Sequence, residues 1–195
     1  MKKVIFVLEE TEIFVSSALD ADTVAETRFF DSISYVLLPL IRMCENLKKD
    51  EINFKFALCF SPIYCDMLSN NVLMERYKAY LEKLMEFSKK EQIRLKDDED
   101  SLEVLAQTVV FIKQNVLTFE AVNGNILSYI ANLEKDGFIE LLATSGSSAF
   151  LPVYKRVPNV VSAQVGAGNL SYKTYFPNAK LSGFWPPLLG FFREM

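Results

Sequence analysis

The apolar positions of the chain alternate between short runs and longer stretches with helical spacing. Residues 4–8, 53–60 and 138–143 are apolar runs of strand length, and residues 181–185 add a short fourth run. Runs of this kind, rich in branched and aromatic residues, are typical of strands that are covered on both faces in a parallel sheet. We therefore predict four strands, the first of them over residues 4–8.

Helical periodicity fills the segments between these strands. Residues 9–27 are polar and predict a loop, whereas residues 28–48 carry apolar side chains at helical spacing, with Pro39 predicting a kink. Asn70 and Asn71 predict the cap of a long helix, and further helices are predicted from Ser101 and over residues 126–133 and 158–175. Since helices separate the strands and no hairpin turn joins them, the pattern predicts an α/β fold with a parallel sheet.

The carboxyl ends of the predicted strands are residues 9–12, 61–65, 144–148 and 186–190. Binding sites of parallel α/β folds lie at such ends. The candidate ligand-binding residues at or next to these ends are Glu9, Glu10, Glu12, Ser61, Ser147 and Trp185.

Several interpretations of these residues stay open. The three glutamates suit a pocket for a cation or for sugar hydroxyls, a carboxylate pair that acts as acid and base, or a solvated loop. Trp185 suits stacking on a sugar ring, core packing or a subunit contact. The segment TSGSSA, residues 144–149, suits a ligand-binding loop or a space-filling one, and it lacks the lysine of a phosphate-binding P-loop.

The composition argues against several classes of function. The chain has 195 residues, a net charge of −4 and no histidine. We therefore expect no nucleic-acid partner, no catalytic triad and no histidine-ligated metal, and we assign no metal ligand and no cofactor. Cys44, Cys59 and Cys65 show no C-x₂-C spacing, the start lacks a cleavage site, and no apolar stretch reaches the roughly 20 residues of a membrane span. We expect a cytoplasmic protein without a membrane segment.

Six segments carry a resemblance to a known family. They are RFFDSISYVLLPLIR, FKFALCFSPIYCDML, ERYKAYLEKLMEFSKKE, IELLATSGSSAFLPV, AQVGAGNLSYKTYF and GFWPPLLGF. In this order they resemble motifs in the amino-terminal half of glycoside hydrolase family 57, which includes glucan branching enzymes, amylases and 4-α-glucanotransferases. The resemblance implies a partial (β/α)7-type barrel, with about four parallel strands and helices covering the outside. It also implies one truncated domain over residues 1–195.

The departures from the family motifs concern its catalytic positions. Glu9 and Thr11 stand where the family's L-H-x-H-L-P-Y motif has histidines, and Ser148 stands at the histidine of T-H-G-F-L-P. Leu188 stands at the nucleophilic glutamate of W-L-P-E, and the acid/base aspartate of the family lies beyond residue 195. Retaining glycoside cleavage needs two carboxyl groups about 5–5.5 Å apart. We therefore predict no catalytic residue and no family-type reaction.

The resulting function hypothesis is a catalytically inactive interaction or regulatory protein, related by descent to α-glucan metabolism. One alternative is a module that binds α-glucan or another oligosaccharide. The other is an enzyme with new chemistry at the carboxylates of the first strand end. Because a partial barrel leaves unpaired strand edges, we also expect a homodimer or a complex with another protein.

Overall fold

The computed structural model describes residues 6–18, 21, 23–180 and 182–193. The chain divides into two units, and the first holds the segments Met1–Phe14, Glu51–Ser69 and Leu127–Met195. The second unit holds Val15–Asp50 and Asn70–Ile126.

The first unit contains a sheet of three parallel strands. They are β1 (Val7–Glu10), β2 (Phe56–Phe60) and β3 (Ile139–Leu142), in the order β1-β2-β3. Glu9 lies opposite Cys59 in the register of β1 and β2. The predicted parallel sheet is confirmed, and its strands all point their carboxyl ends at the same edge.

The fourth predicted strand, residues 181–185, is wrong for the described part of the chain, in which the sheet has three strands. Leu181 lies outside the described residues. Phe184 forms an isolated parallel bridge with Ala143, and the Trp185 N–H donates to the Ala143 carbonyl at 2.7 Å. The ladder stops there because Pro186 and the proline after it carry no N–H group.

The first strand differs from its prediction in both bounds and burial. Val4 and Ile5 lie outside the described residues, and the strand continues through Glu10, which was predicted to lie in a loop. Leu8 is 44% exposed. The exposed Leu8 departs from the prediction that both faces of an apolar run are covered. Pairing of the backbone, rather than apolar character, decides where this strand ends.

Seven α-helices are described. They are α1 (Val24–Ser32), α2 (Leu38–Lys49), α3 (Pro62–Ser69), α4 (Asn71–Arg94), α5 (Glu99–Ala121), α6 (Ile126–Lys135) and α7 (Pro158–Tyr175). The cap at Asn70 is confirmed, since its side chain accepts from the N–H groups of Val72 and Leu73. Helix α7 has the predicted bounds. Helix α3 was not predicted, although Pro62 at its first position is a common helix start.

The predicted helix over residues 28–48 is two helices joined by a π-helical segment, Ile33–Leu37. The Leu38 N–H donates to the carbonyl of Ile33, five residues back. In this register the carbonyl of Ser34 faces Pro39, which has no N–H to donate. The side-chain amide of Asn115 supplies the missing donor at 3.2 Å. The segment thus has an i→i+5 hydrogen bond, and Asn115 bonds the carbonyl that Pro39 leaves without a backbone donor.

Each unit contains packed aromatic rings. In the first unit, Phe60 of β2 stacks with Phe176, and both rings are buried. In the second unit, Tyr77 is fully buried beside Phe30 and Phe119. None of the described helices is long and apolar enough to cross a membrane.

Candidate functional site

Two hydrogen bonds join the end of β1 and the residue after it to the loop after β3 and to the C-terminal segment. The Trp185 indole Nε1 donates to the Glu9 carboxylate at 3.0 Å. Thr11 and Ser148 share a hydrogen bond of 3.0 Å between their hydroxyls. The carboxyl ends of parallel strands lie at one edge of the sheet, which explains why residues so far apart in the chain meet here. Three of the four positions that depart from the family motifs are therefore in these pairs.

The loop after β3 is held by a residue that the sequence analysis did not select. Gln164 of α7 accepts through Oε1 from the Ser147 N–H at 2.9 Å and from the Ser147 hydroxyl at 3.0 Å. The hydroxyl of the buried Ser145 donates to the Ser147 carbonyl. The signal for Gln164 was present in the sequence, because this glutamine matches the first letter of the family's Q-I-x-x-G motif.

Glu10 is the acidic residue of the site whose ionisation is most changed. Burial raises its pKa to about 7, and the nearby charge of Glu12 adds to the rise. A carboxyl group with this pKa carries a proton for much of the time at neutral pH, so it can donate as well as accept. Glu12 itself lies in the loop after β1 and is half-buried.

Ser61, predicted as a candidate ligand-binding residue, makes hydrogen bonds within the fold. It is buried, its Oγ accepts from the Tyr64 N–H at 3.2 Å, and its own N–H donates to the Glu10 carbonyl at 3.1 Å. The hydroxyl therefore caps the first turn of α3. This contact anchors the start of the helix beside the end of β1.

Leu188 lies in the turn that follows the two prolines. Its side chain is 74% exposed, and its φ of 54° places the backbone in the left-handed region. Leu189 has the same φ and is 65% exposed. An aliphatic side chain offers neither a nucleophile nor a hydrogen-bonding group, so this position contributes no polar chemistry to the site.

The cysteines near the sheet are not activated. Cys59 and Cys65 are free and buried, and burial raises the pKa of Cys59 to about 12 and that of Cys65 still further. Both thiols are therefore protonated at neutral pH and poor nucleophiles. Among the residues that the structure describes, no three acidic, cysteine or histidine side chains gather as metal ligands.

The site offers an aromatic face, several hydrogen-bonding groups and one carboxyl group with a pKa of about 7. The half-exposed indole of Trp185 provides an aromatic surface whose edge is fixed by Glu9, and the hydroxyls of Thr11 and Ser148 provide donors and acceptors. Sugars are bound by such combinations of an aromatic face and polar groups. Glu10 adds a carboxyl group that exchanges its proton near pH 7.

Comparison with known proteins gives a consistent result. The family model for glycosyl hydrolase family 57 matches residues 10–191. The 1,4-α-glucan branching enzyme TK1436 of Thermococcus kodakarensis is 22% identical over 158 residues, which cover 81% of this chain and 23% of the enzyme.

Solved structures share the fold at similarly low identity. The α-amylase AmyC from Thermotoga maritima matches with a TM-score of 0.90 and 24% identity, over 98% of this chain and 36% of AmyC. A GH57-type branching enzyme from Pyrococcus horikoshii matches with a TM-score of 0.86 and 23% identity, over 94% of this chain and 34% of the enzyme. The chain thus spans between 23% and 36% of the length of these relatives.

Proposed function

Because the chain belongs to glycosyl hydrolase family 57, we propose that it acts by binding, without the family's catalysis. It serves as an interaction or regulatory protein related to α-glucan metabolism. The observation that carries this proposal is Leu188, the residue at the position of the family's nucleophilic glutamate. Its side chain is aliphatic and exposed, so it attacks no anomeric carbon.

The nearby carboxylates do not replace that nucleophile in this proposal. Glu9 accepts the indole hydrogen bond of Trp185, and Glu10 is held partly protonated by burial. Both groups lie on β1, whereas the family's nucleophile position lies on the turn after Trp185. The third hypothesis, new acid–base chemistry on β1, draws support only from the raised pKa of Glu10.

A sensitive hydrolysis assay tests this proposal. The purified chain is incubated with maltoheptaose and with amylose, and reducing ends and chain-length redistribution are followed between pH 5 and 8. We expect no turnover above the buffer blank. Turnover of either substrate would contradict the proposal, and its loss in Glu9→Gln or Glu10→Gln, with Leu188→Ala retaining it, would favour the carboxylates of β1.

A second candidate function is binding of an α-glucan or another oligosaccharide, and the Trp185–Glu9 hydrogen bond favours it. The bond fixes the indole ring, so a sugar that stacks on it meets an already ordered surface. Calorimetric titration with maltoheptaose tests this candidate. We expect saturation with a dissociation constant below about 1 mM, or roughly −4 kcal/mol.

The control for this titration distinguishes binding at this site from nonspecific binding. Trp185→Ala should abolish the heat of binding, whereas Phe191→Ala, which removes another exposed ring of the same segment, should retain it. Equal loss in both variants, or flat titrations of the unmodified chain across a panel of oligosaccharides, would contradict sugar binding and favour a protein partner.

The remaining parts of the proposal concern architecture and partners. The three strands and their helices form part of a (β/α)7-type barrel within one domain, which the match to AmyC supports.

The exposed Leu8 and the neighbouring Phe6, which is 65% exposed, support a homodimer or a protein partner along β1. A mass of one subunit by light scattering at micromolar concentration would contradict the homodimer. Three free cysteines support a cytoplasmic location, which cell fractionation tests.

A further inference from the structure

The loop after β3, residues 144–148, is tied to helix α7 at Gln164. The Oε1 atom of Gln164 accepts from the Ser147 N–H group at 2.9 Å and from the Ser147 hydroxyl at 3.0 Å. The main-chain carbonyl of Gln164 accepts from the Gly146 N–H group at 2.7 Å. The side chain and the main chain of one helical residue therefore hold two successive residues of the loop.

Two glycines let the loop lie directly against the helix. A Cβ atom added at Gly146 would fall 2.7 Å from the Cβ of Ala167, and one added at Gly168 would fall 1.7 Å from the Thr144 carbonyl oxygen. Distances this short leave no room for a side chain at either position. Packing therefore fixes residues 144–146, and the side chain of Gln164 extends that hold to Ser147.

The residue that this loop presents to solvent is Ser148. Its hydroxyl is exposed and shares a hydrogen bond of 3.0 Å with the hydroxyl of Thr11. An exposed bond of this kind exchanges with water, so by itself it holds neither side chain in place. The backbone before Ser148 supplies that hold, and a group that is ordered before binding lowers the entropic cost of binding a ligand.

We propose that Gln164 is a positioning residue of the strand-end site. Through Ser147 it holds the Ser148 hydroxyl beside Thr11, where the two hydroxyls donate to and accept from the hydroxyl groups of an α-glucan. Gln164 acts through the loop and makes no contact with the sugar. This inference rests on the oligosaccharide binding proposed above, and it adds a helical residue to the strand-end site.

Amide hydrogen exchange of the protein without ligand, followed by NMR, tests the effect of Gln164 on the loop. Gln164→Met keeps the length of the side chain and removes the oxygen acceptor, so the Ser147 N–H group should exchange about fivefold faster or more. The Gly146 N–H group bonds to the main-chain carbonyl, which the variant retains, so its exchange should change less than about twofold. Gln164→Glu keeps an oxygen acceptor and should exchange as the unmodified protein does.

Two outcomes of the exchange experiment overturn the proposal. Unchanged exchange at Ser147 in Gln164→Met means that the side chain does not hold the loop. Equal acceleration at Gly146 and Ser147 means that the substitution loosens α7 as a whole, so that the role of Gln164 is structural only. A thermal melt of each variant checks that the fold is retained.

Calorimetric titration with maltoheptaose tests the consequence for binding. Gln164→Met should weaken binding about fivefold or more, whereas Gln164→Glu should bind within about twofold of the unmodified protein. Gln107→Met makes the same change at an exposed glutamine of α5, so it is the matched control and should leave binding unchanged. Unchanged binding in Gln164→Met overturns the positioning role and leaves the proposed sugar binding intact.

A double variant tests whether the effect passes through Ser148. Ser148→Ala alone should weaken binding by a similar factor, and adding Gln164→Met should weaken it less than about twofold further, because both changes act through one hydroxyl. Full additivity of the two changes overturns the proposal. A flat titration of the unmodified protein contradicts the oligosaccharide binding itself and overturns this inference with it, which distinguishes that failure from a failure of Gln164 alone.

Discussion

The two units use polar side chains in different ways. In the second unit, polar groups lie inside the helical core and bond to fixed partners, as Asn115 does with Ser34 and Arg42. In the first unit, the polar groups of the candidate site lie at strand ends and bond to one another at the exposed edge, as Glu9 does with Trp185. Buried bonds contribute to stability because their loss leaves unsatisfied groups, whereas exposed bonds exchange readily with water or a ligand.

This difference separates structural polar residues from candidate binding residues. The Ser34 hydroxyl and the buried Tyr77 hydroxyl lie 2.9 Å apart, and no solvent reaches the tyrosine. Thr11 and Ser148 form a similar hydroxyl pair in an exposed position. Substitutions in the second unit should therefore reduce stability strongly, and those in the strand-end site should change binding or spectroscopy with little effect on stability.

The largest effect is expected for Tyr77→Ala. The ring is fully buried and contacts Phe30 and Phe119, so its removal leaves a cavity and should lower the free energy of unfolding by about 3–5 kcal/mol. Urea unfolding followed by circular dichroism measures the change. Tyr77→Phe is the matched control, and it should lose only about 1–2 kcal/mol through the Ser34 hydrogen bond. Equal losses would mean that the hydroxyl, rather than the ring, dominates.

The next largest effect is expected for Asn115→Ala. The variant removes the donor to the Ser34 carbonyl, which Pro39 leaves without a helical partner, and the 2.8 Å acceptor of Arg42. We expect a loss of about 2–3 kcal/mol, measured by urea unfolding. Gln114→Ala, one residue earlier and exposed, should change stability by less than about 0.5 kcal/mol. If Asn115→Ala lost as little stability as Gln114→Ala, this amide would not support the π-helical segment.

A smaller effect is expected for the pH dependence contributed by Glu10. Its pKa is raised in the folded state to about 7 from 4.5, so the folded protein binds more protons than the unfolded chain between these values. The free energy of unfolding should therefore fall as pH rises through this interval, by no more than about 2 kcal/mol because the group is partly screened by solvent.

Unfolding in urea at pH 5 and pH 8 measures this dependence. The absence of histidine helps, because no histidine titrates in the same interval. Glu10→Gln should flatten the difference between the two pH values, and Glu12→Gln should reduce it in part through the lost repulsion. A difference that persists in full in Glu10→Gln would show that another group causes it.

The smallest effect on stability is expected for Glu9→Ala. The bond to Trp185 is exposed, so the free energy of unfolding should change by less than about 0.5 kcal/mol. Trp185 is the single tryptophan of the chain, so its fluorescence reports on this site alone. We expect a change in emission wavelength or intensity in Glu9→Ala and none in Glu12→Ala. Identical spectra in all three proteins would argue against the bond in solution.

Local patterns predicted the regular elements well and their irregular junctions poorly. Helix α7 and the Asn70 cap were predicted because hydrophobic period and capping chemistry act over a few neighbouring residues. The π-helical segment was not predicted, since its support comes from Asn115, far along the chain. Helix α3 was missed because the proline at its start was interpreted only as the end of a strand.

The sequence proposed candidate site residues but not the contacts among them. The strand-end rule selected Glu9, Trp185 and Ser147, and two hydrogen bonds place the first two together and tie the third to Gln164. No pattern distinguished the capping hydroxyl of Ser61 from a ligand-binding one. That distinction depends on which backbone N–H the hydroxyl faces after the chain has folded.

The sequence by itself determined the α/β class, the helix bounds of α7 and the membership in glycosyl hydrolase family 57, because periodicity and motif order are local or ordered along the chain. Only the tertiary structure decided which glutamate has its pKa raised to about 7 and which hydroxyls pair. Burial and hydrogen-bond partners arise from residues distant in sequence, so no local pattern encodes them.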